Sequence, residues 1–321
     1  MSFASIFLSV AILGADLERG QARFTPTALE SQVPELFRLA GSAFDYEMEL
    51  RRDDANYRVH AVRFPSPITT QTPENNTIHA EWFIPKGPGR KPGVIVLHIL
   101  GADFALSRYM AARLADRGVA ALFVKLPYYG ERRPQGGDNR LLSVDINRSV
   151  EGMRQGVCDV RRAAAWLASR PEIDPERIGV TGISLGGIVS SLAVSVDPAI
   201  KQGALLLAGG DLAEVLWTMP EGRRYRDAWI AAGRTKEDLK KLVQPFDPLT
   251  YAPGMIGKRV IMMAGNVDDT VPPQCAKALW QAAGKPPIRW FDCGHYSAVA
   301  YLLPAIRETV DFFAPTAPQS P

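Results

Sequence analysis

Two styles of hydrophobic patterning divide the chain. From about residue 94 onward, short apolar runs without alternation are separated by longer amphipathic stretches. The runs Val94–His98, Ala120–Lys125, Arg177–Gly182, Gly203–Ala208, Arg259–Ala264 and Ile288–Phe291 predict strands. Their β-branched and leucine-rich makeup suits strands covered on both faces. The stretches Ala105–Arg117, Arg148–Ser169, Leu185–Val196, Pro273–Ala283 and Ala298–Phe313 predict helices between them. That alternation predicts a mostly parallel, doubly wound α/β sheet.

Before residue 94 the pattern changes. Thr25–Gly41 reads as a helix. Tyr46–Phe64 and Thr77–Ile84 alternate apolar and polar positions, as antiparallel strands at the edge of a larger sheet do. A second interruption, residues 209–253, falls between two strand candidates and carries Trp217, Arg223, Arg224, Tyr225, Arg226, Trp229 and a charged helix near Lys236–Leu242. It is too long for a plain connection, so it predicts a helical insert after the sixth strand, placed to cover a site. Residues 23–314 form one α/β domain on this reading, followed by a Pro-rich tail over 315–321. Residues 1–22 read equally well as an export signal or as an N-terminal surface helix. The apolar run Phe3–Ala15 is too short to span a membrane, and a charged n-region is missing. The compartment, cytoplasmic or periplasmic, is left open.

Composition narrows the function classes. With 321 residues, 46% hydrophobic and 22% charged, the chain has an ordinary globular makeup and can bury a large core. A net charge of +3 gives no reason to expect nucleic acid as a partner. Cys158, Cys275 and Cys293 are odd in number and widely spaced, which implies neither a disulfide framework nor a metal site. No stable membrane insertion is expected, and the charged insert argues against a membrane-surface lipase.

The chemistry concentrates around Gly182-Ile183-Ser184-Leu185-Gly186, which follows a strand and opens a helix. A nucleophile at the tip of a tight strand-to-helix turn needs a strained backbone, and glycines on either side leave room for it. The helix N-terminus behind Ser184 points N–H groups at developing negative charge, so the Leu185 amide is an oxyanion-hole candidate. A serine hydroxyl needs a base to take its proton. Of the four histidines, only His295 lies downstream of Ser184, at a strand end before a helix. His98 reads as a structural brace for its own loop. The carboxylate that orients the base is best placed at Asp268, in the turn after a strand, with Asp269 and Asp211 as rivals and Asp292 too near His295 in sequence. The second oxyanion amide belongs to the loop after Val94–His98, with Leu100 preferred and Ile99 second. Tyr128 and Tyr129 after one strand, and Trp217 and Trp229 in the insert, are candidates to line the substrate pocket.

Taken together, His98-Ile-Leu-Gly101, Gly182-Ile-Ser184-Leu-Gly186, Asp247-Pro-Leu-Thr-Tyr-Ala-Pro253, Gly265-Asn-Val-Asp268-Asp-Thr-Val-Pro272 and Gly294-His295 resemble the α/β-hydrolase superfamily over residues 80–314. The style is that of dienelactone-hydrolase-like and acetyl-xylan-esterase-like bacterial esterases. The resemblance implies the catalytic acid on the Asp of Gly-x-x-Asp-x-x-Val-Pro, hence Asp268. Two positions depart from it: dienelactone hydrolases proper carry Cys where Ser184 stands, and the usual His-Gly is here His98-Ile99. The expectation is therefore a serine esterase for small-molecule esters, working through an acyl-enzyme with no metal or organic cofactor. A thioesterase or peptidase with the same three residues, or a binding protein on a retired hydrolase fold, is the alternative.

Overall fold

The computed structural model describes residues 17–101, 104–135, 141, 143 and 146–315. Its centre is a 10-stranded sheet in the order β1-β2-β3-β4-β6-β5-β7-β8-β9-β10. The strands are β1 (Leu17–Phe24), β2 (Ser42–Asp53), β3 (Tyr57–Pro65), β4 (Thr77–Pro85), β5 (Lys91–Leu97), β6 (Ala120–Val124), β7 (Ile173–Ile183), β8 (Gln202–Leu206), β9 (Arg259–Gly265) and β10 (Ile288–Phe291). β1 to β4 pair antiparallel and β4 joins β6 antiparallel. β5 to β10 are parallel to one another. The helices are α1 (Ala105–Asp116), α2 (Ile146–Ala168), α3 (Leu185–Val196), α4 (Leu212–Thr218), α5 (Arg223–Ala231), α6 (Lys236–Val243), α7 (Pro248–Tyr251), α8 (Pro273–Ala282) and α9 (Leu302–Phe313).

The unalternating strand runs have the predicted cause. Along β5, Val94 and Val96 pack with Met110 and Leu114 of α1 and Ile306 and Val310 of α9. Ile95 and Leu97 face the other way, into the cluster that holds Val157 of α2 and Val189 of α3. β5 thus loses both faces to helices, which is why its run is apolar without alternation. All six strand runs and the five helices that accompany them lie where the patterning put them, apart from a 3-10 turn at Ser297–Tyr301 before α9.

The N-terminal third departs from expectation in three ways. Thr25–Gly41 is not a helix; it holds two 3-10 turns, Glu30–Gln32 and Glu35–Phe37. Pro34 removes an N–H from the middle of the stretch and blocks a continuous helix. The Glu30 carboxylate instead accepts the Leu39 N–H at 2.9 Å and pairs with Arg161 at 2.7 Å. Tyr46–Phe64 is a hairpin of two strands, and Leu17–Phe24 is a further strand paired along its length with β2. A helix over all of 1–22 therefore does not form, because residues 17–22 lie in β1. Residues 1–16 and the tail 316–321 lie outside the described residues. The added strands make β8 the eighth strand, so the insert follows the eighth and not the sixth.

The insert is built by local capping. Thr235 and Asp238 form a reciprocal capping box at the start of α6. Asp247 closes the whole segment: its carboxylate accepts N–H bonds from Asp211 (3.0 Å) and Leu212 (2.7 Å) at one end and Leu249 (2.9 Å) at the other. Among the described residues no helix is long and apolar enough to cross a membrane.

Candidate active site

Open parallel sheets gather ligand-facing loops beyond the carboxyl ends of their strands. Here Leu100 follows β5, Ser184 follows β7, Asp268 follows β9 and His295 follows β10.

Ser184 sits between β7 and α3 with φ 56° and ψ −118°. This backbone costs on the order of 1–3 kcal/mol for a non-glycine residue and persists only if its surroundings impose it. They do: the Ser184 N–H donates to Leu206 O at 2.9 Å, and its carbonyl accepts the Ile188 N–H at 2.9 Å. The flanking glycines are required by close approach. A Cβ on Gly186 would lie 2.7 Å from Leu97 O and 2.8 Å from His98 O, and one on Gly187 would lie 2.6 Å from Leu206 O.

The Ser184 Oγ stands 2.8 Å from His295 Nε2. The other ring nitrogen, Nδ1, stands 2.8 Å from Asp268 Oδ2. A carboxylate only accepts, so Nδ1 carries the proton and Nε2 presents its lone pair to the serine hydroxyl. Asp268 is 4% exposed and is fixed from its other oxygen, where Oδ1 accepts the Thr270 N–H at 2.9 Å and the Val271 N–H at 2.7 Å. The loops of acid and base are knitted together by Asn266 N–H to Phe291 O and Val267 N–H to Cys293 O. The rival carboxylates are elsewhere. Asp269 and Asp292 are exposed, and Asp211 caps α4 by accepting the Glu214 N–H.

Leu185 is the first residue of α3, and first-turn N–H groups have no partner within their helix. Leu100 lines the cavity beside Ser184, whereas Ile99 does not. The buried His98 ring explains the orientation of this loop. His98 Nε2 accepts the Leu126 N–H at 3.1 Å, which leaves the proton on Nδ1 to be donated to Ile99 O at 2.7 Å. The C=O and N–H of one trans peptide point in opposite directions. Holding the Ile99 carbonyl therefore turns the Leu100 N–H away from His98. Burial pushes the His98 imidazole down to about 4, so it stays neutral in this role.

A cavity of about 160 Å³ reaches from Ser184 under the insert. Trp217 and Trp229 line it, as the patterning predicts, together with Tyr225 and Arg226. Tyr128 and Tyr129 do not. They are 2% and 4% exposed and turn into the core. Left-handed backbone at Tyr128 (φ 71°) and Gly130 (φ 59°) folds their loop inward. Arg148 lies 4.2 Å over the Tyr128 ring, and Tyr129 packs 4.5 Å from His98. The lining residues that motif reading misses are apolar side chains of helices: Ile146, Val150 and Met153 on α2, and Leu212, Val215 and Leu216 on α4. Their i, i+3, i+4 and i+7 spacing was the available sign, but such a stripe marks any helix face that meets a core.

Comparison with known proteins agrees with the fold. The family profile described as alpha/beta hydrolase domain containing 18 matches residues 29–205, and that of the prolyl oligopeptidase family matches residues 152–289. An uncharacterized protein of Mycobacterium tuberculosis strain H37Rv is 29% identical over 218 residues, 65% of this chain and 50% of that protein. Mouse acyl-coenzyme A thioesterase 2, mitochondrial, is 32% identical over 158 residues, 49% of this chain and 30% of that protein. The chain thus spans half, or less, of the length of these relatives. Among solved structures, an acetyl xylan esterase from Paenibacillus sp. R4 superposes with TM-score 0.64 at 23% identity, covering 88% of this chain and 90% of that one. Acetyl xylan esterase 1 from Thermoanaerobacterium sp. JW/SL YS485 gives TM-score 0.64 at 18% identity, covering 83% and 87%. At such identities the likeness is one of fold.

Proposed function

We propose that this chain, which belongs to the alpha/beta hydrolase domain containing 18 family, is a serine hydrolase of carboxylic esters. What carries the reading is the unbroken relay from the Ser184 hydroxyl through His295 to Asp268, mounted on a strained turn. Ser184 Oγ attacks the acyl carbon as His295 Nε2 takes its proton. The N–H groups of Leu185 and Leu100 stabilise the oxyanion. His295 then gives its proton to the leaving oxygen, and an acyl-enzyme forms. Water, deprotonated by the same nitrogen, attacks the acyl carbon, releases the acid and restores Ser184. Asp268 holds the ring in register and stabilises the imidazolium.

A thioester reading is favoured by the similarity to acyl-coenzyme A thioesterases. It uses the same steps with a thiolate as leaving group. A panel of p-nitrophenyl esters against the matching acyl thioesters separates the two. Ser184→Ala should lower kcat by about 10⁴-fold or more with the fold intact. A fluorophosphonate probe should label the wild type and not Ser184→Ala. An unlabelled wild type, or a Ser184→Ala variant with full turnover, would overturn the proposal and favour a retired site that only binds.

A further inference from the structure

The cavity beneath the insert has a composition that its distance from the reacting atoms makes informative. It begins at Ser184 and Leu185 and runs between α2, α3 and the insert. Its lining includes Met153 of α2, Leu239 and Val243 of α6, and Phe246, all at most 6% exposed. These residues also belong to the main hydrophobic core of the protein. The polar groups on the lining are few. They are the hydroxyls of Ser143, Ser149 and Thr270 besides Ser184, the Tyr225 hydroxyl, the Trp217 indole N–H, the Trp229 indole N–H, which donates to Thr235 O at 2.8 Å, and Arg226, whose guanidinium is engaged by Trp217 O at 2.9 Å. Ser149 is likewise engaged, accepting the Ser143 N–H at 2.8 Å. Carbohydrate or peptide would leave its hydroxyls or amides unpaired against such a wall, a loss of about 1–3 kcal/mol for each buried group.

We infer that this cavity is an acyl-chain pocket, and that the preferred substrates carry an aliphatic acyl group of medium length. This rests on the ester-hydrolase reading above and names the substrate class of the same site. The size follows from volume: a dry apolar cavity of about 150 Å³ takes up a six-carbon molecule such as benzene. The cavity here is about 160 Å³. Leu239, Val243 and Phe246 on its lining are buried core side chains, so an acyl chain of about six to eight carbons fills it, and a longer one meets a core wall that resists compression.

The test is a kcat/KM series on p-nitrophenyl acetate, butyrate, hexanoate, octanoate and laurate. Each methylene that enters the pocket should raise kcat/KM by about fourfold, the equivalent of about 0.8 kcal/mol. The series should peak at hexanoate or octanoate and fall by tenfold or more at laurate. Val243→Phe should shorten the optimum by about two carbons. Leu239→Ala should lengthen it. Far-UV circular dichroism and fluorophosphonate labelling of Ser184 show that each variant has folded. A wild-type optimum at acetate with steady decline, or variants that leave the profile unmoved, would overturn the acyl-pocket assignment and leave the hydrolase reading standing. Absence of all ester cleavage together with absence of fluorophosphonate labelling would overturn the hydrolase reading itself.

Discussion

At the scale of single residues, His98 is the most informative side chain outside the Ser184–His295–Asp268 relay. It touches no position a substrate would occupy, yet it holds the carbonyl whose peptide carries the Leu100 N–H. His98→Ala should lower kcat by about 10²-fold with little change in KM, the signature of a lost oxyanion donor. His98→Asn, which keeps a donor near the Nδ1 position, should recover much of that loss. Equal losses in both variants would refute the positioning role. The same ring gives a stability prediction. Its depression comes first from burial, aided by Arg132 and Lys125 and opposed by the bond to Ile99. An unfolded histidine titrates near its ordinary 6.5, so between 6.5 and about 4 the unfolded chain binds a proton that the folded chain refuses. Stability should therefore fall as pH is lowered through that window, by on the order of 3 kcal/mol. Burial lowers His60 and His79 as well, and they add to the slope in the same direction. Urea titrations at several pH values should show part of the slope gone in His98→Asn; an undiminished slope would contradict the assignment.

At the scale of elements, the turn from β7 into α3 is the least replaceable piece. Gly186→Ala brings a methyl against the carbonyls of Leu97 and His98, which are backbone and cannot swing aside. It should cost about 1–3 kcal/mol or more in denaturant unfolding. Gly101→Ala meets, among the described residues, only the Ile99 side chain, at 3.8 Å, and should stay within about 0.5 kcal/mol. Comparable losses at both positions would mean that close approach is not what demands the glycine. The elements also show which parts of the fold are legible in a sequence. Strands β5 to β10 are, because burial on both faces writes a continuous apolar run into Val94–Leu97 and Arg259–Gly265. Ser184, Asp268 and His295 are legible because each ends such a run with a residue of reactive type. Thr25–Gly41 is not, because its polar side chains serve distant partners: Glu30 is committed to Arg161, 131 residues away. The inward turn of Tyr128 and Tyr129 is likewise set by contacts with Asn75, His98 and Arg148, none of them adjacent in sequence.

At the scale of the whole molecule, Arg161 joins parts that the chain order separates. From the middle of α2 it reaches Glu30 at 2.7 Å, Asp197 beyond α3 at 3.1 Å, and the Phe37 carbonyl at 2.6 Å. It thereby fastens the segment that follows β1 onto the parallel half of the sheet. Arg161→Met removes one partner from a buried charge cluster and should cost about 3–5 kcal/mol. Limited proteolysis of the variant should cut first within residues 25–41; cleavage no faster than wild type would show that the segment is held by other means. The two ends of the insert, both gripped by the Asp247 carboxylate, have a wider consequence. That clasp ties the start of α4 to the start of α7, while Leu212, Leu239, Val243 and Phe246 seat the stretch between β8 and β9 on the main core. Change on α5, which buries no residue, can therefore alter the cover over Ser184 without reaching the interior, whereas any change at Leu239, Val243 or Phe246 is also a change to the main core.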